Sequence, residues 1–176
     1  MVSEQVIHGV LLALHNLALV GCAAAPFYNR KLVGFRSQYG PNLHYGLDKV
    51  VEDTLQSNAP YCMTFLLVLF ATGVGIPLNY YAFHGTFHEM HLVATIALAV
   101  KLVFVFGIAI WGMRIFFGLN PTLKVLFSHF EPGAEPDADK VKEFFAIRAQ
   151  RKALCDSCFW FAIAVLVSSA FIGFAV

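Results

Sequence analysis

A chain of 176 residues that is 59% hydrophobic and 13% charged does not belong among ordinary soluble domains, whose surfaces need far more polar side chains. Its formal net charge of +1 offers no basic surplus to a nucleic-acid partner, and no Walker loop, nucleophile elbow or zinc-protease signature is present. A membrane protein in contact with a lipid bilayer is expected, and whether it is an enzyme stays open.

Four apolar runs, over 7–27, 61–81, 91–117 and 157–176, are each long enough to cross a hydrocarbon core of about 30 Å at about 1.5 Å per helical residue. They lack the alternation of barrel strands, and backbone polar groups in lipid must be satisfied within the segment. The expected fold is therefore all-α: one domain over 1–176, an integral membrane four-helix bundle.

The first run carries His8 and His15, seven apart and so on one helical face. Leu19-Val20-Gly21-Cys22 resembles a lipoprotein cleavage box, and Ala23 to Ala25 a small-residue cleavage site. Met1 to Gln5 holds an acid and no Lys or Arg, however, whereas a signal peptide opens on a basic region. An uncleaved helix is expected. After turn residues at Tyr39, Gly40 and Pro41, the spacing of Val50, Val51 and Leu55 predicts a short interfacial helix in the loop.

Cys62 opens the second run, and His84 and His88 lie in the short connection to the third. His91 begins the third run, with Lys101 ten residues further in. In the loop 118–156 an acidic turn from Glu131 to Pro136 precedes Asp137 or Asp139, either of which can cap a helix bearing Val141, Phe144, Phe145 and Ile147. This helix is expected to lie on the inner leaflet or to run straight into the fourth span, with Arg148, Arg151 and Lys152 among anionic headgroups. Cys155 and Cys158 form a Cys-x-x-Cys pair where the fourth run starts.

Eleven of the twelve Lys and Arg residues lie in the two long loops and the adjoining helix ends; the twelfth is Lys101. The positive-inside rule places those loops in the cytoplasm and both termini on the extracytoplasmic side, which for a bacterial protein means the inner membrane. His8, His84, His88 and His91 then share an outer layer with Glu4, Glu89 and Met90. His15 lies about 10 Å deeper, near the depth of Lys101.

Imidazole is the commonest protein metal ligand, and His residues from facing helices hold metals and haem in bundles. His15 and His91, followed by His8, His88 and His84, are the candidate ligands of a haem b or a copper ion, against the plainer reading of polar interface residues. Lys101 has no acid at its depth: it snorkels, deprotonates or meets an anion such as a haem propionate. Asn16, Thr72, Ser168 and Ser169 are candidates for a polar layer around it. At the opposite end Cys62, Cys155 and Cys158 are expected to stay reduced, and to serve as apolar filler or as ligands for a soft ion such as Cu(I).

The stretch His15-Asn16-Leu17-Ala18-Leu19-Val20-Gly21 followed by Arg30-Lys31, a His-bearing first helix before a basic inner loop, resembles the CopD copper-resistance family of small four-span proteins. That resemblance implies copper handling or transport. More loosely, the four spans with intramembrane His are similar to four-helix b-type cytochromes such as the cytochrome b561 group, which implies haem held between helices. The leading reading is a haem-b or metal-binding redox protein with an extracytoplasmic electron-transfer partner. The alternatives are a non-catalytic subunit of a larger respiratory or photosynthetic complex, and passage of copper from outer His and Met toward inner Cys.

Overall fold

The four apolar runs fall, as far as they are described, almost wholly within helices longer than a bilayer requires. The computed structural model describes residues 2–87, 90–134 and 136–173. Its elements are α1 (Val2–Ser37), α2 (Tyr45–His84), α3 (Leu92–Met113), a π-helical stretch (Arg114–Leu119) that continues directly into α4 (Asn120–Phe127), and α5 (Ala138–Gly173). Four helices, with α3, the π stretch and α4 counted as one, are long and apolar enough to cross a membrane, and the described residues contain no strand. The chain is thus a multi-pass membrane protein.

At about 1.5 Å per residue, the 40 residues of α2 span about 60 Å, twice a hydrocarbon core. The excess gathers where residues 38–44 join α1 to α2. This basic end also holds α4 and the first turns of α5. At the other end, the histidine end, Glu4 lies 3.5 Å from His84, so α1 and α2 run antiparallel. Gly85 stops α2 there: its φ of 71° belongs to the left-handed region that favours glycine, and its N–H donates to Tyr81 O.

Val50, Val51 and Leu55 do not form a separate interfacial helix; they belong to the opening turns of α2, which continues through Pro60. The reason is a packed face. Asp48, Val51, Glu52 and Leu55, at spacings of three and four, are all at most 5% exposed, so burial holds these turns in line with the span. Of the two arrangements expected for the second loop, the structure has the second rather than a separate interfacial helix: the helix carrying Val141, Phe144 and Phe145 runs straight into the fourth span as α5.

Within α5 the buried positions Phe144, Arg148, Arg151, Cys158, Ala162 and Val165, with half-buried Cys155 between them, alternate by four and three. That is the seam of a helix packed into a left-handed bundle. At the basic end Phe144 joins Leu123 and Phe130 in an apolar core, with Leu43, Tyr45, Phe127 and Phe145 around it. α1 packs along α2, α3 along α5, and α1 meets α5, while α2 and α3 touch little.

Close approach within these pairs depends on small residues. A Cβ placed on Gly21 would stand 2.5 Å from the Phe65 ring, whereas one on Gly9 would meet nothing within 4 Å. Gly21→Ala is therefore expected to lower the thermal midpoint in detergent, because overpacking costs about 1–3 kcal/mol and outweighs the gain of up to about 1 kcal/mol in helix propensity. Gly9→Ala, which gains propensity without a clash, is expected not to lower it.

Candidate functional site

The opening turns of α2 place two carboxylates on its buried face, and the neighbouring helices bring three guanidinium groups to them. Arg36, in the last turn of α1, donates to Asp48 through Nε at 2.5 Å and Nη2 at 2.8 Å. Its Nη1 donates to Gly40 O and its Nη2 to Asn42 O, which fastens the connecting turn. Arg148 of α5 reaches Asp48 with Nη1 and lies 3.4 Å from Glu52 through Nε. Arg151 donates to Glu52 at 2.6 Å and to Asn120 Oδ1 at 3.3 Å.

All five charged groups are at most 5% exposed. Burial without partners would be very costly for any of them, and mutual ion pairing, bidentate between Arg36 and Asp48, is what offsets it. Arg148 and Arg151 are therefore not headgroup anchors, contrary to the sequence expectation; they occupy the interior seam of α5. Lys152 does face outward and pairs with Asp156 at 2.8 Å. The network was legible in part: Asp48 and Glu52 are four apart and share their face with Val51 and Leu55, and an acid on an apolar face calls for a buried cation.

Deeper along the same helices, Cys22, Cys62, Cys155 and Cys158 all line one cavity, together with Met63 and the Arg151 and Asn120 side chains. All four are free thiols. The sequence placed Cys62, Cys155 and Cys158 at one depth; the packing of α1 adds Cys22. Among the described residues no three His, Cys, Asp or Glu side chains converge closely enough to hold a metal ion.

Toward the histidine end, His15 Nδ1 lies 2.8 Å from Thr72 Oγ1. The Thr72 hydroxyl is itself within 2.6 Å of Val68 O, so its hydrogen goes to that carbonyl and its oxygen accepts from His15 Nδ1–H. In the neutral imidazole this leaves Nε2 as the bare lone pair. Gly73 lies against the ring: a Cβ there would meet His15 Cε1 at 3.7 Å, an ordinary van der Waals contact. Lys101 is near enough for its charge to act on His15, and among the described residues no carboxylate pairs with its ammonium.

The other candidates are dispersed. His8 and His91 are exposed, and about 15 Å of helical rise separates His91 from Lys101. His84 is exposed, stacks on Tyr80 at 4.2 Å and shares its Nδ1 between Tyr80 O and Glu4. His88, Glu89 and Glu135 lie outside the described residues. Thr72 and Ser168 are buried, but Asn16 is exposed, and Ser168 and Ser169 bond to carbonyls of their own helix.

No family model, curated protein or solved structure matches the chain. Removing one member of the ionic network should expose how tightly it couples the helices. Asp48→Ala leaves two buried guanidinium groups short of a carboxylate and is expected to cost about 3–5 kcal/mol in equilibrium unfolding from mixed micelles. Lys49→Ala, which removes an exposed pair with Asp53 next door, is expected to leave the transition in place.

Proposed function

We propose that the chain is a membrane redox protein that binds a haem b or a metal ion through His15, with an electron-transfer partner on the extracytoplasmic side. The observation that carries this reading is the hydrogen bond from His15 Nδ1 to Thr72. An acceptor on one ring nitrogen fixes the tautomer and presents the other as a ligand, the arrangement that metal-bound His residues share. Lys101, a half-buried cation near this imidazole without a carboxylate partner, suits an anionic group such as a propionate. A bound haem or metal would supply one-electron chemistry at that level. The protein's part is to orient the imidazole, hold the counter-charge and keep the site within apolar helices.

The test is an absorption spectrum of the purified protein with a dithionite difference, together with metal analysis. His15→Ala is expected to abolish the bound chromophore or metal, and Thr72→Val to weaken retention about 10- to 100-fold by releasing the ring. Copper retained by His15→Ala but lost from Cys62→Ser would favour the copper-handling reading, which draws support from four thiols and Met63 on one cavity. A wild-type protein with neither chromophore nor metal would leave the accessory-subunit reading.

Orientation follows from charge, because eleven of twelve basic residues lie at the end opposite the termini. In a cysteine-free background, Ser3→Cys is expected to label with an impermeant maleimide from outside the cell. Ser128→Cys is expected to label only after lysis; the reverse pattern would invert the proposed site and partner.

A further inference from the structure

The basic end carries more positive charge than its own carboxylates balance. Three buried guanidinium groups, Arg36, Arg148 and Arg151, face two buried carboxylates, Asp48 and Glu52. Beside them Asp156 serves two more cations, Arg30 at 3.2 Å and Lys152 at 2.8 Å. A surplus cation in water is ordinary, but one held inside a packed network calls for an anion.

The donors also show where that anion is needed. Arg36 spends its guanidinium on Asp48 and two backbone carbonyls. Arg148 spends Nη1 on Asp48 and Nε toward Glu52, while its Nη2 is buried without a hydrogen-bond partner. Glu52 Oε2 has no hydrogen-bond partner either, but its charge is already counted in that balance. Arg148 lines a groove between the end of α1 and α5, with Arg36, Ser37 and Lys152 on its walls. Among the described residues no acid lines that groove, and Val33 and Phe145 give it an apolar flank.

We propose that this groove binds a phosphate-bearing anion, held by Arg148 and Lys152 in the field of Arg36. An apolar flank beside a basic floor, at the end of membrane-spanning helices, matches the phosphate and glycerol region of an anionic lipid; free phosphate presents the same oxyanion. Guanidinium and ammonium donors suit such oxygens, and each basic residue near a charged bilayer surface contributes on the order of 1 kcal/mol.

The experiment uses the full chain in zwitterionic detergent micelles, titrated separately with phosphatidylglycerol and with inorganic phosphate at constant ionic strength. Thermal midpoint and native mass spectrometry are the readouts. The expected result is a saturable rise in midpoint with one phosphatidylglycerol retained per chain, and an affinity about fivefold weaker in Lys152→Gln. Lys31→Gln, an exposed position away from the groove, is expected to bind like wild type. Saturable binding of inorganic phosphate, with the same dependence on Lys152, would support the site with a free anion as its occupant. Equal weakening in Lys31→Gln would mean diffuse surface charge and overturn the proposal. So would the absence of saturable binding in both titrations.

Discussion

Two carboxylates on one turn of α2 govern the basic end of this protein. Asp48 joins α1 to α5 by accepting from Arg36 and Arg148, and Glu52 extends the junction to Arg151, which in turn reaches Asn120 at the head of α4. Four helices are tied at one level by bonds that have direction. A buried ionic network of this kind adds little net stability over apolar side chains of the same volume, yet losing any one partner is costly. Its contribution is geometric, because a bidentate guanidinium accepts one rotation and one height of the neighbouring helix.

That constraint matters because apolar spans alone set register weakly. Packing in lipid lacks the hydrophobic force that sorts helices in water and relies on close contact and polar bonds. The seam of α5 shows the division of labour: Phe144, Arg148 and Arg151 lie in the part of the helix beyond the needs of a bilayer, and Cys158, Ala162 and Val165 continue the same seam inward. One stripe thus passes from aromatic core to ionic network to small apolar contacts. The π-helical stretch between α3 and α4 adds a residue to the local turn just before Asn120 and Leu123, both of which are buried against the network and the aromatic core.

The histidine end is built differently. α2 and α3 touch little, and His8, His84 and His91 are exposed. A half-buried polar contact lies deeper, where His15 of α1 meets Thr72 of α2, and Lys101 stands on a third helix. The basic end is thus cross-tied by ion pairs, whereas along the spans α1 packs on α2 and α3 on α5 with little contact between α2 and α3.

The sequence by itself determined what depends on position along a single helix. Four apolar runs gave four spans, the charge asymmetry separated the two ends, and counting residues put His15 level with Lys101 and three of the cysteines at one depth. It also misjudged whatever depends on how helices are rotated against each other. Arg148 and Arg151 looked like headgroup anchors because a cation near a span's end normally reaches water, and only the opposing face of α2, with Asp48 and Glu52, turned them inward. Val50, Val51 and Leu55 looked like a separate surface helix, and tertiary burial of Asp48, Val51, Glu52 and Leu55 made these turns one helix with the span. The His15 tautomer and the arrival of Cys22 at the thiol cavity were likewise decided by inter-helix packing, since periodicity specifies which residues share a face but not which face they meet.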